Sequence, residues 1–282
     1  MENLPKKIGI IGAGRMGVGI AQLFLEHGFP LLLHDSSPTL LQRAAQKLKE
    51  RLWREGTESS GQAPEEILQN LVLSESLQDF RDCDFILEAV FESYEAKESL
   101  LDHCRKYVSP EAIFGTNTSA LSVTRLARSA PDSRRFIGFH FLNPAPRIPL
   151  IELIRAPETE EAVVQLCQDL ARFLGKTVVF SQDTPAFVVN RVLIPMINEA
   201  MHVLEERGAS AEDIDTALTL GAQHPMGPLS LADFIGLDVV LAILKTLQSE
   251  RGEKYRPSVF LEDLVARGHL GRKSGQGFFK YR

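Results

Sequence analysis

The stretch Lys7–Gly17, KIGIIGAGRMG, sets three glycines in the spacing G-x-G-x-x-G directly after a short apolar run. That arrangement leaves few folds open. Gly12 permits the tight turn out of a strand, Gly14 lets a pyrophosphate approach the backbone, and Gly17 lets the next helix sit close on a sheet. The helix that opens here aims its free N–H groups and positive dipole end at the phosphates. Glycines in a strand-to-helix turn need no ligand by themselves, so the flanks decide. The run Ile20-Ala21-Gln22-Leu23-Phe24 reads as the helix and Pro30–Asp35 as a second strand. Asp35 closes that strand about twenty residues past the glycines, where an acid takes the adenosine ribose hydroxyls. Ser36 and Ser37 follow, with no adjacent Arg or Lys to hold a 2′-phosphate, so the pattern favours NAD over NADP.

The 282 residues suit two domains that share one interface. A net charge of −6 argues against nucleic acid as the main partner. Cys83, Cys104 and Cys167 show neither paired spacing nor a metal-ligand pattern; they read as reduced thiols of a cytoplasmic protein, and no metal is expected. The first strand begins by Lys7, which leaves no room for a targeting peptide, and no apolar run approaches membrane-spanning length. These features predict a soluble, cytoplasmic chain with no membrane partner.

The first half alternates strands and helices, the signature of a parallel sheet covered on both faces. A helical stretch is expected from Thr39 to Glu55, a polar loop from Gly56 to Pro64, and a further helical piece from Glu65 to Leu71. That insertion is too long for a plain connection and predicts a helical hairpin over Thr39–Leu71. Strands are expected at Cys83–Val90, Ala112–Asn117 and Arg135–Phe141. Long helical patterns then take over: Ala186–Arg207 with Pro195 kinking it, a helix capped by Ser210 and ending at Gly221, Leu229–Glu250, and Val259–Arg267. The expected architecture is a Rossmann-type α/β domain over residues 1–184 and an all-helical domain over 185–282, with the active site between them.

A seat for a dinucleotide does not establish a reaction, which needs a base. Among the seven histidines, His140 alone lies in a strand that ends in a proline-rich turn, Asn143-Pro144-Ala145-Pro146-Arg147-Ile148-Pro149. A second strand-like run, Leu150–Ile154, follows. If the two fold back about Pro146, residue 140 falls opposite Glu152, with Cβ atoms about 5 Å apart. A carboxylate there favours the imidazolium and fixes which ring nitrogen carries the proton. Spacing alone is equally consistent with a structural His–Glu pair.

From Gly9 to the C-terminus the chain resembles the 3-hydroxyacyl-CoA dehydrogenases, and most closely the short bacterial 3-hydroxybutyryl-CoA type. The strings that carry the resemblance are GIIGAGRMG, EAVFES with Lys97, GTNTSALS, GFHFLNPAP, DTPAFVVNRVL, HPMGPLSLADFIGLD and GRKSGQGFF. The resemblance implies that His140 is the base, that Glu152 orients it, and that Ser119 and Asn190 hydrogen-bond the substrate oxygen near C3. It implies that Glu92, Lys97, Asn143 and Lys273 touch the NAD, completing a set with Gly12, Gly14, Met16, Gly17, Asp35, Asn117 and Ser119. It also implies a homodimer formed through the helical domain, and an acyl-CoA thioester as substrate.

The chain departs from that pattern after Asn143-Pro144-Ala145-Pro146. Relatives acting on acyl-CoA usually carry a small apolar residue, a Met and a Lys there; this chain has Arg147, Ile148 and Pro149. A proline at the last position recurs in relatives that oxidise small hydroxy acids, such as L-gulonate 3-dehydrogenase and carnitine dehydrogenase. Arg147 is thus a candidate for gripping a free carboxylate in bidentate fashion. On the projecting hairpin Lys47, Lys49, Arg51 and Arg54 offer positive charge, with Arg54 the candidate CoA phosphate contact. Two rival functions stay open: a dehydrogenase of a free hydroxy acid, and a catalytically silent NAD-binding protein.

Overall fold

Four apolar residues, Ile8–Ile11, form β1, buried along its whole length at the centre of a sheet. The computed structural model describes residues 4–55 and 63–281 of the chain. After β1 come α1 (Arg15–Glu26), β2 (Leu31–His34), α2 (Pro38–Glu55), α3 (Pro64–Leu68) and β3 (Leu71–Ser74). Then follow β4 (Phe85–Glu88), α4 (Tyr94–Cys104), β5 (Ile113–Thr116), α5 (Val123–Ala127), β6 (Phe136–Phe141), β7 (Leu150–Arg155), α6 (Glu161–Phe173) and β8 (Thr177–Ser181). The eight strands make one sheet in the order β3-β2-β1-β4-β5-β6-β7-β8. Every pairing is parallel except β6 with β7. β1, β2, β4 and β6 are buried on both faces, which is why their sequences read as continuous apolar runs. This is the Rossmann-type α/β architecture that the sequence predicts.

The chain divides into two compact units, residues 1–184 and 185–282. The second is all-helical: α7 (Val189–Glu205), α8 (Ala211–Gly221), α9 (Pro228–Ile235), α10 (Leu237–Arg251) and α11 (Val259–Ala266). It has its own core, in which Ile194, Ile197, Met201, Leu229, Leu244 and Leu261 are fully buried.

Several expectations need correction. The helical hairpin ends at Leu68, and Leu71, expected to close it, opens the edge strand β3. The loop expected at Gly56–Pro64 lies, over residues 56–62, outside the described residues. Between Ile154 and Pro185, where no element was expected, the chain builds α6 and β8. The helix expected from Ala186 begins at Val189, because Ala186 and Phe187 both adopt positive φ, 64° and 52°, which a right-handed helix cannot accommodate. α7 runs through Pro195 as one element. The single helix expected over Leu229–Glu250 is two, split at Gly236 with φ of 109°. Ser210 caps α8 as expected, its hydroxyl accepting from the Asp213 N–H.

Candidate active site

The glycine loop joins β1 to α1, and its three glycines are needed for different reasons. Gly12 has φ of 110°, and a Cβ there would lie 2.6 Å from the Ala89 carbonyl. A Cβ on Gly17 would lie 1.7 Å from the Gly12 carbonyl oxygen, so the turn itself excludes a side chain. Gly14 is different: a Cβ there meets no protein atom within 4 Å. It is also the N-cap of α1, and a glycine brings no side chain to cap the helix. Open space beside a helix N-terminus fits a phosphate. Met16 packs against the core beside the loop.

Asp35 is drawn onto this loop. One carboxylate oxygen accepts from Ala13 N at 3.0 Å and the other from Ser37 N at 3.0 Å. Beside it lies an open pocket of about 310 Å3 lined by Gly12, Asp35, Leu77, Val90, Phe91 and Leu100, among others. An acid, a glycine turn and apolar walls are what an adenosine needs, so the residues present fit NAD. His34, also at this pocket, is held by its Nδ1 contact to the Ser74 carbonyl at 3.0 Å, and burial lowers its pKa.

A charge network, buried at Glu88 and Lys97 and reaching the surface at Glu92, runs from the end of β4 to Ser119. Glu88 has no exposed surface and binds Lys97 Nζ through both carboxylate oxygens, at 2.9 and 2.8 Å. It also accepts from the Thr116 hydroxyl and from Val90 N. Lys97 is buried as well, and its ammonium lies 3.4 Å from Glu92. Burial works to discharge Lys97, yet the carboxylates of Glu88 and Glu92 outweigh it and raise its pKa. Glu92 caps the loop after β5, accepting from the Thr118 hydroxyl at 2.6 Å, Ser119 N at 2.7 Å, the Ser119 hydroxyl at 3.1 Å and Ala120 N at 3.2 Å. Burial raises its pKa, but Lys97 and these hydrogen bonds prevail and hold it below the usual range. With its ammonium committed to two carboxylates, Lys97 holds Glu92 and, through it, the Ser119 loop.

The strand pair β6–β7 carries the second half of the site. His140 faces Glu152 in the antiparallel register, as a fold-back about Pro146 requires. The imidazole Nδ1 lies 2.8 Å from Glu152 Oε2, and both side chains are buried. With the carboxylate accepting at Nδ1, a proton that charges the ring goes onto Nε2. Asn117, at the end of β5, accepts from Phe141 N at 2.8 Å and so ties the Ser119 loop to the His140 strand.

These residues cluster at the carboxyl ends of the parallel strands, where open α/β sheets bind ligands. Asn143 and Arg147 lie on the β6–β7 turn, with Arg147 exposed, and Arg54 is exposed in the last turn of α2. Asn190 and Lys273 belong to the second unit: Asn190 is buried in the first turn of α7, and Lys273 binds the Asp238 carboxylate. Among the described residues no group of three His, Cys, Asp or Glu side chains is placed to hold a metal ion. Among the same residues no helix is long and apolar enough to cross a membrane.

Residues 7–184 match the family model described as 3-hydroxyacyl-CoA dehydrogenase, NAD binding domain, and residues 187–281 match that of the C-terminal domain. The chain belongs to the 3-hydroxyacyl-CoA dehydrogenase family. It is an NAD-dependent oxidoreductase of that class. It is 43% identical to a probable 3-hydroxybutyryl-CoA dehydrogenase of Deinococcus radiodurans, across 98% of this chain and 100% of that protein. It is likewise 43% identical to a 3-hydroxybutyryl-CoA dehydrogenase of Bradyrhizobium diazoefficiens, across 100% of this chain and 97% of that one. Among solved structures it resembles the (S)-3-hydroxybutyryl-CoA dehydrogenase PaaH1 of Ralstonia eutropha, with a TM-score of 0.89, 39% identity and 99% of each chain covered.

Sequence reasoning missed Glu88 in this dehydrogenase, although a lone carboxylate ending the apolar run Phe85-Ile86-Leu87 was the signal for it. Asp183 was missed too. It accepts from the Ser122 hydroxyl, Val123 N and Thr124 N, and so anchors the start of α5 behind the Ser119 loop.

Proposed function

We propose that the chain interconverts short-chain L-3-hydroxyacyl-CoA and 3-ketoacyl-CoA thioesters, with NAD rather than NADP and His140 as the base. The observation that carries this reading is the buried His140–Glu152 pair, 2.8 Å apart. In the ketone-forming direction His140 Nε2 takes the hydroxyl proton, and Glu152 stabilises the imidazolium that results. General-base help of this kind is worth about 10²–10⁴ in rate. NAD, when bound, supplies the hydride acceptor. In the reverse direction the imidazolium returns its proton to the substrate oxygen, while Asn190 and the Ser119 hydroxyl, turned from Glu92 to that oxygen, donate hydrogen bonds to its developing charge. Asp35 would hold the adenosine ribose, and Gly12, Gly14 and Gly17 the pyrophosphate. Arg54 would meet a CoA phosphate and Arg147 the substrate entrance.

The names of the relatives support a four-carbon acyl group. The reading includes a cytoplasmic homodimer built through the helical unit. In its favour, Val192, Leu220 and Val259 stand 69%, 75% and 65% exposed there, apolar surface that a second copy would cover.

The test is NADH oxidation by the purified protein with acetoacetyl-CoA, run beside dehydro-gulonate and dehydro-carnitine. Turnover with the thioester alone is expected. Turnover with a free keto acid alone would overturn the acyl-CoA assignment and make Arg147 a carboxylate reader. NADH binding without turnover of any of the three would make the protein a binding protein.

A further inference from the structure

The turn between β6 and β7 is built from residues that cannot close it alone. Pro144, Pro146 and Pro149 have no N–H to give. Within the turn, Arg147 N and Ile148 N both donate to the Pro144 carbonyl, at 3.0 and 3.1 Å. The carbonyls of Ala145, Pro146 and Ile148 converge instead on one side chain. Lys176 Nζ donates to them at 2.9, 3.0 and 3.0 Å. An ammonium carries three N–H donors, so donors and acceptors match in number.

Lys176 is 6% exposed. Burial lowers its pKa, while the Glu26 carboxylate pulls the other way. A lysine is seldom buried without a purpose for its charge. Its place in the chain is also telling. It immediately precedes β8, whose first residue, Thr177, donates to the Pro149 carbonyl at 2.9 Å and pairs with Leu150. On the other side the turn rests on α1, where a Cβ on Gly19 would stand 3.6 Å from Pro146 Cδ and 3.8 Å from Ala145 Cβ. The turn is therefore wedged between α1 and β8, and the ammonium closes it from beneath.

We propose that Lys176 is a positioning residue for the dehydrogenase reaction: its ammonium fixes the turn that carries Asn143 and Arg147 and links the arms bearing His140 and Glu152. The inference rests on the reading of His140 as base and of the turn as a ligand contact. The antiparallel pairing of Ile137–Phe141 with Ile151–Arg155 is made by backbone bonds and does not need the clamp. Loss of the clamp thus leaves the sheet paired and frees the turn. The consequence falls on substrate positioning and hydride transfer, more than on folding.

Lys176→Met and Lys176→Arg separate this from a purely structural role. Methionine keeps the length and removes all donors. Arginine keeps the charge, but its planar fork does not converge on three carbonyls as an ammonium does. Three quantities are read on the full chain: ADP-ribose affinity, steady-state kinetics with acetoacetyl-CoA, and the primary isotope effect on kcat with 4-deuterated NADH. ADP-ribose affinity is expected within about twofold of wild type, because that ligand needs only the glycine loop and Asp35. For Lys176→Met, kcat/KM is expected to fall about tenfold or more and the isotope effect to rise as hydride transfer becomes limiting. Lys176→Arg is expected in between, with a loss of about threefold or more. Wild-type kcat/KM and isotope effect in Lys176→Met would overturn the proposal, whatever its Tm. Should that variant not fold, the same wild-type values in Lys176→Arg would overturn it. His140→Gln, run in parallel, tells two failures apart. Full turnover in that variant refutes the base and the premise with it, whereas loss of turnover there with unchanged Lys176 variants refutes the clamp alone.

Discussion

Gly14→Ala isolates ligand binding from folding. The backbone at Gly14 has φ of −72° and ψ of −171°, which alanine adopts without strain, and its Cβ would meet nothing within 4 Å. Alanine is the poorer N-cap, by up to about 1 kcal/mol, so the loss of stability is expected at or below that figure. For a chain of this size that shifts Tm by less than about 4 °C. The methyl group does occupy the space in front of the α1 N-terminus, where a pyrophosphate would lie against the backbone. Overpacking such a contact costs about 1–3 kcal/mol, which weakens NADH binding about 5- to 150-fold. Gly17→Ala is the control. Its Cβ would sit 1.7 Å from the Gly12 oxygen, so that variant must distort the loop itself, at about 3 kcal/mol or more. Thermal melts and NADH fluorescence titrations on the two variants separate these effects. Wild-type NADH affinity in Gly14→Ala would refute the placement of the phosphates at this loop. A drop in Tm matching that of Gly17→Ala would refute the argument from open space.

Glu152→Gln keeps the shape of the side chain and removes its charge. With charge centres about 4 Å apart and an effective dielectric constant near 20, the imidazolium loses up to about 4 kcal/mol of stabilisation. The amide returns part of this as a hydrogen bond, so about 2–4 kcal/mol remains, and kcat for oxidation of 3-hydroxybutyryl-CoA, in which the imidazolium forms, should fall about thirty- to a thousandfold. A kcat within about threefold of wild type would mean that the carboxylate does not serve the base. Glu92 titrates below its ordinary value of 4.5, so its contribution to stability is complete above that value and disappears as pH falls through the folded one. Glu92→Gln is therefore expected to melt below wild type at neutral pH, with the gap closing in acid. A gap that stays constant down to about pH 3 would refute the assignment.

What could be read from the sequence follows from where each element lies in the sheet. The central strands are buried on both faces, and their apolar runs were legible. The missed strands, β3 and β8, are the two edges, where Val72 is 55% and Phe180 54% exposed. A short edge strand with apolar residues facing water gives neither a continuous run nor a clean alternation. The His140–Glu152 pairing was legible because a proline-rich turn fixes register by symmetry about its centre. Lys97 was not: on a helix it looks like the solvated partner of Glu92. Only the parallel register of β4 with β5 reveals that Glu88 ends beside Thr116 inside the sheet, where its charge calls for a buried cation. The split at Gly236 was missed because one glycine in an apolar helical run reads as tolerable until its positive φ is seen.

The carboxyl edge of the sheet gathers most of the polar groups buried in the first unit, and each has a partner that makes its burial tolerable. Glu88 meets Lys97, Asn117 meets the Phe141 amide, and Glu152 meets His140. Removing one member of a buried ion pair typically costs about 3–5 kcal/mol, because the other is left charged and dry. The network is therefore rigid for the same reason that it is expensive. Ser119 is held by Glu92, Glu92 by Lys97, and Lys97 by Glu88 at the end of the central strand β4. A loop fixed in advance adds no reorganisation to the barrier of a reaction beside it. The buried ions thus belong to the fold and to the site at once: they stiffen the loop bearing Ser119 while the β6–β7 register fixes His140, and both groups stand on the sheet itself.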